Sequence, residues 1–278
     1  MKNFLILLFF ISSIPTFGQK YSGSSWAQVK ASRSGTLSCL FYKTPKLVFR
    51  DSDGQIKGVC VDILNDFSKY VKKKYNTDLN IEFVGEETSF MEFMKQVNAT
   101  KNVLGVANVS ITPARQKQMK FSPAYLSNLM IMLTHKDAPT INSLDELSSK
   151  LNGYTGMVIS GTTHVEYIQS LKSQYYPGLK LSYQPSGGVI IDAISKDSKN
   201  FAILEFTEYF DAIKNRKPVK RQDVYLNSEK EELGFVMSKS SDWDGVWKEF
   251  LTDDYKSSMR YKEIIADNLG NAFLRLIR

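Results

Sequence analysis

Strand-like and helix-like segments alternate along most of this chain, and they do so in two separate series. The first opens with GTLSCLFY (35–42), followed by the turn RDSDGQ (50–55), whose Asp53-Gly54 pair favours a reversal. Apolar residues then recur at helical spacing, with Val59, Val61, Ile63, Leu64, Phe67 and Val71 spread over 58–75 and Asp62 near the start. LNIEFV (79–84) reads as a strand, SFMEFMKQV (89–97) as a short amphipathic helix, and VLGVANVSI (103–111) as a third strand. Strands separated by helices imply a parallel sheet, because a parallel partner is reached only through a crossover.

An apolar strand over 126–136 leads into the second series. It begins with NSLDELSSKL, where Ser143 and Glu146 have capping-box spacing. Strands at 154–160, 179–184 and 200–206 then alternate with helices at 163–175, 188–196 and 207–217. LGFVMSK (233–239) reads as a return strand, and two amphipathic stretches finish the chain. The pattern predicts two α/β lobes joined by two crossings: residues 19–133 plus 230–278 in one lobe and 134–229 in the other. Such sheets bind ligands beyond the carboxyl ends of their strands, so the expected site is a cleft between the lobes.

The first 18 residues carry a different signal. Lys2 precedes eight apolar residues, Phe4–Ile11; Pro15 breaks the run, and small residues follow at Thr16 and Gly18. This fits a secretory signal peptide over 1–18. Eight apolar residues are too few for a membrane span, which takes about 20. With no Cys after the apolar run to take a lipid, the expected home is a periplasm. Removing residues 1–18 leaves 260 residues with net charge +6. The basic runs at 72–74 and 214–221 sit among apolar and acidic neighbours, which reads as solvated faces rather than nucleic-acid binding. Cys39 and Cys60 lie in apolar surroundings, which favours two buried free thiols over a bridge. The two histidines, His135 and His164, have no spacing for a metal site or a catalytic triad, and no cofactor is expected.

Three clusters offer chemistry. The strand over 103–111 points Asn108, Ser110 and Arg115 toward the cleft; a guanidinium fork, a hydroxyl and a helix start with Pro113 suit a carboxylate. An arginine at a helix start is also an ordinary solvated side chain. Ser160-Gly161-Thr162-Thr163 follows a strand and opens a helix, where Thr162 or Thr163 serves equally well as a plain N-cap. Glu205 ends an apolar strand, so its carboxylate needs water, an ion pair or a ligand cation.

The order and spacing of FRDSDGQIKGVCVDIL, VSITPARQKQMKFSPAY, VISGTTHVEYI and FAILEFTEYF resemble extracellular solute-binding proteins of family 3, the amino-acid-binding class. They also resemble the ligand-binding core of ionotropic glutamate receptors. The resemblance runs from about residue 34 to the end. It implies the two-lobed periplasmic-binding-protein type II fold with two crossing strands. It implies that Arg115 and Ser110 bind an α-carboxylate, that the Asn108 carbonyl and Glu205 face an α-ammonium, and that Thr162 and Thr163 bind carboxylate groups from the second lobe. Ile56 stands where the receptors place an aromatic over the ligand, with Tyr42 or Phe49 as candidate substitutes.

The function implied is capture of an amino acid by a monomeric periplasmic protein, without catalysis, for delivery to an ABC permease. A sensory module docking a membrane partner, or an enzyme resembling cyclohexadienyl dehydratases, are the alternatives on the same fold. The export reading makes a direct prediction: Edman sequencing of protein from the periplasmic fraction starts at Gln19 or within about three residues of it. An intact Met1 on folded protein contradicts the signal peptide.

Overall fold

The computed structural model describes residues 20–224, 226 and 231–276; the expected signal peptide lies outside them. Two five-stranded sheets organise the chain, and they share one plan. The first runs Asp78–Glu87, Ser34–Tyr42, Leu104–Val106, Val236–Ser238, Met119–Phe121. Its first three strands are parallel, and Val236–Ser238 is antiparallel to both neighbours. The second runs Lys180–Gln184, Thr155–Ile159, Asn200–Glu205, Met130–His135, Val219–Gln222, again three parallel strands followed by an antiparallel one. Each sheet therefore presents the carboxyl ends of three parallel strands along one edge, the edge where loops gather.

Local chemistry accounts for the elements. The helix Val59–Tyr75 buries Val59, Cys60, Ile63, Leu64, Phe67 and Val71 on one face. Asp62 sits in its first turn and Lys72–Lys74 in its last, the charge order that its dipole favours, and Asn76 ends it in the left-handed region. Against this helix pack the C-terminal segments, with the Phe67 ring stacked on Trp247 at 3.9 Å. A separate core fills the second lobe around Val158, Ile168, Phe201 and Ile203. A third apolar cluster contains residues of both sheets: Leu40, Tyr42, Phe90 and Phe93 with Leu133, Ile159, Ile190 and Leu204.

Four details differ from the sequence reading. The apolar run at 126–136 is two strands: Leu126–Asn128 pairs antiparallel with Glu231–Leu233, and Met130–His135 lies wholly in the second sheet. The expected lobe break between 133 and 134 thus falls inside a strand, and the two short paired strands are the crossings. Continuous hydrophobicity hid the break, since a strand changing sheets keeps the same apolar character. The run at 103–111 forms a strand only over Leu104–Val106, because the chain bends at the cleft edge and the Gly234 amide bonds to the Val109 carbonyl. Ser143 makes no capping bond; Glu146 alone closes that turn, accepting from the Asn142 amide. Neither Thr162 nor Thr163 caps the helix His164–Tyr175; the Thr162 hydroxyl donates to the Ile159 carbonyl instead.

Cys39 and Cys60 are free and buried, and burial drives both thiols away from ionisation, Cys60 to about 12. Thiolate is the reactive form, so both are expected to be inert in the native protein. A thiol reagent should titrate no cysteine in native protein and two per chain after denaturation without reductant. None after denaturation would indicate a bridge between the two.

Candidate functional site

The loops leaving the two parallel edges meet between the lobes. In the second lobe, Asn200–Glu205 is buried at all six positions and parallel to Thr155–Ile159. Their carboxyl ends therefore lie on one edge, which sets Glu205 beside His164, the first residue of the helix that follows Ser160–Thr163. His164 Nε2 lies 3.6 Å from Glu205 Oε1, with both side chains almost fully buried. Glu205 is the N-cap residue of the helix Phe206–Lys214, but its side chain makes no capping bond there.

Opposite stands Arg115, on the short helix Pro113–Gln118, whose start Thr112 caps by accepting from the Arg115 amide. One guanidinium nitrogen donates to the Ser110 carbonyl at 3.0 Å, and another donates across the cleft to the Gly161 carbonyl at 3.0 Å. The Phe90 ring lies 5.6 Å from the guanidinium carbon, a cation–π arrangement, and meets Tyr42 edge-on at 5.5 Å. Gly161 has φ +79, and a Cβ there would stand 2.9 Å from Met91 of the first lobe. Only glycine allows both that backbone conformation and that approach. The Phe90 amide bonds to Pro185 of the second lobe at 3.3 Å, so the lobes are in contact across the cleft.

Of the residues expected from the sequence, Ser110, Arg115 and Glu205 are brought together here through Glu231 and His164. Asn108 is buried, its side-chain oxygen accepting from the Thr44 hydroxyl at 2.9 Å. Thr162 and Thr163 lie at the second-lobe rim, half-buried, beside His164. Ile56 belongs to a two-stranded hairpin with Arg50 and packs on the first-lobe core; Tyr42 is the aromatic that reaches the cleft.

Sequence reasoning passed over three polar residues. Glu231, on the return crossing, accepts from the Ser110 hydroxyl at 2.9 Å and lies 4.0 Å from His164 Nε2. His164 was set aside because its partners are distant in sequence. Glu208 is buried one helical turn beyond Glu205. Its only sequence trace is an acid among the apolar positions of Phe206–Lys214. Several buried atoms here have no partner among the described residues: both His164 nitrogens, one Glu205 oxygen, and the Tyr42 and Thr207 hydroxyls. The Gly187 amide lies near the Tyr42 hydroxyl without reaching hydrogen-bond geometry. Unsatisfied buried polar groups concentrate at functional sites.

The electrostatics follow from burial. Arg115 is lowered by desolvation, against which the acids Glu231, Glu166 and Glu205 support its charge. Glu208 is pushed up to about 8 by burial and by the neighbouring Glu205 and Asp211. Between the ordinary carboxylate range and about 8, folded Glu208 therefore keeps a proton that the unfolded chain has released. The folded state binds more protons, so this group's contribution to stability falls as pH rises through that window. Relative to wild type, Glu208→Gln should gain melting temperature between about pH 5 and pH 8, by at least about 3 °C in the ligand-free protein. A constant difference across that range would mean that Glu208 is ionised in the fold.

Comparison with known proteins agrees with this architecture. Residues 39–267 match the bacterial extracellular solute-binding proteins, family 3. Among solved structures, the substrate-binding protein of an amino acid ABC transporter superposes with TM-score 0.68 at 21% identity, covering 84% of this chain and 99% of that one. The GluR0 ligand-binding core in complex with L-glutamate gives 0.64 at 16% identity, over 84% and 98%. A curated relative is the membrane-bound lytic murein transglycosylase F of Pseudomonas fluorescens, 26% identical over 170 residues, 59% of this chain and 31% of that protein. The chain thus spans under a third of that relative's length. With its paired sheets, double crossing and interlobe cleft, this chain belongs to the bacterial extracellular solute-binding proteins of family 3.

Proposed function

We propose that this protein binds an amino acid, or a similar small amino-carboxylate, in the interlobe cleft and delivers it to a membrane importer, with no chemistry beyond hydrogen bonding and charge pairing. One observation carries the reading: a guanidinium and a hydroxyl on one side of the cleft oppose a buried carboxylate on the other. Arg115 keeps N–H donors beyond the two it uses, since a guanidinium has five, and these take the ligand carboxylate. Ser110 assists from its present bond to Glu231, which a ligand carboxylate must share or displace. Glu205, with one oxygen unpartnered, takes the α-ammonium together with the Asn108 carbonyl. Thr163 offers its hydroxyl from the second lobe; Thr162 contributes only after exchanging its bond to Ile159. Closure then couples binding to lobe position, because Arg115 already spans both lobes.

The partners of this reading are the ligand and an ABC permease in the membrane, with the chain acting as a monomer in the periplasm. A membrane sensor as partner would use the same ligand chemistry. Among the described residues, the His164–Glu205 pair would serve an enzyme as an acid–base couple.

A thermal-shift screen of the natural L-amino acids should give at least one hit, recovered unaltered after long incubation, while the corresponding α-keto acid gives none. Calorimetry with that hit should show Arg115→Ala weakening binding at least about 30-fold with circular dichroism unchanged, the loss expected when a buried charge is left unpaired. Arg115→Lys should also bind poorly, since a point charge cannot make the fork. Unchanged affinity in both variants removes Arg115 from the site, and turnover of the hit favours the enzyme.

A further inference from the structure

Glu208, one helical turn past Glu205, lines a cavity of about 290 Å³ whose wall comes from both lobes. Its wall includes Tyr42, Glu86 and Glu87 from the first lobe and Asp192, Glu208 and Asp211 from the second, five carboxylates in all, with Lys43 as the one basic lining residue. Three of the acids are already matched: Arg50 to Glu86 at 3.2 Å, Lys20 to Glu87 at 2.5 Å and Lys217 to Asp192 at 2.6 Å. Glu208 and Asp211 have no ion-pair partner among the described residues. Glu208 is 5% exposed, lines the cavity and makes no hydrogen bond there, and the Tyr42 hydroxyl beside it is buried without a partner. The wall is shaped around the acid: a Cβ on Gly187 would stand 2.3 Å from Glu208 Oε1.

We infer that the ligand carries a second positive charge distal to its α-amino group, and that Glu208 and Asp211 receive it, so that the substrates are basic amino acids. This rests on the amino-acid reading above, in which Arg115 and Glu205 hold the α-carboxylate and α-ammonium. From that seat, a side chain running past Tyr42 brings an ammonium or guanidinium to Glu208, one helical turn from Glu205. A neutral, non-donating side chain would leave the buried carboxyl of Glu208 without a hydrogen-bond partner. A cation supplies both the donors and the charge, and Glu208 gives up its proton as the cation enters. The charged groups facing Glu208 are Glu205, Asp211 and Lys43, so the acids dominate its surroundings.

Calorimetry with L-arginine and its uncharged isostere L-citrulline isolates the charge, since the two differ in one terminal group. Wild type should bind arginine at least about tenfold tighter. In Glu208→Gln that ratio should fall to within about threefold, and Asp211→Asn, an alternative should the first variant not fold, should reduce it in the same direction. Citrulline or glutamine bound as tightly as arginine by wild type overturns the inference and leaves the amino-acid reading intact. A preference for arginine that both variants keep removes these two acids as its cause. Binding of none of the three, nor of any other amino acid, takes down the amino-acid reading itself.

Discussion

Burying two carboxylates one helical turn apart is the constraint on which the rest of this cleft depends. Glu205 and Glu208 are each about 95% buried, and neither forms a strong ion pair within the protein. Two like charges so placed repel each other and lose hydration together, which makes one of them hold its proton. The arrangement is tolerable because His164 lies alongside Glu205 and because burial and the neighbouring acids push Glu208 up to about 8, which keeps it protonated at neutral pH. A fold selected for stability alone would place apolar residues there. Acids kept in such a position are suited to meeting cations that arrive from outside.

Arg115 has the complementary role. It is half-buried, is held by the carbonyl of Ser110 in its own lobe, and reaches Gly161 in the other. One cation thus reads the separation of the lobes, and the Phe90 face beneath it lowers the cost of its partial desolvation. Glu231 adds a second device. Sitting on the return crossing, it brings a carboxylate to Ser110, the hydroxyl that the family resemblance assigns to a ligand carboxylate. The crossing strands are therefore more than connectors, since one of them contributes a charge to the region they hinge.

The shared plan of the two sheets explains why such residues converge. Three parallel strands in each lobe end on one edge, and the antiparallel fourth strand carries the chain to or from the crossings. Any residue placed just after a parallel strand then faces the cleft, whatever its position in the chain. The transglycosylase relative is far longer and similar over 170 residues, 59% of this chain, so a segment resembling part of this chain also occurs within a longer protein.

Much of this was legible in the sequence because it is local. The alternation of apolar spacing identified most strands and helices of both lobes and put Glu205 at the end of its strand. Ser110 and Arg115, by contrast, lie past the strand Leu104–Val106, whose end the apolar run up to Ile111 overshot. The break at Leu129 was hidden because a continuous apolar run does not record which sheet each half joins. The roles of His164, Glu208 and Glu231 were hidden for a different reason. The meaning of each depends on a neighbour supplied by another strand or the other lobe: Glu205 lies 3.6 Å from His164 in space although many residues away along the chain, and Glu231 reaches Ser110 from the return crossing. Sequence alone determined the elements and the family, because hydrophobic period and motif order act over short range. Tertiary structure decided which charges share the cleft, because burial and pairing are set by what long-range packing brings together.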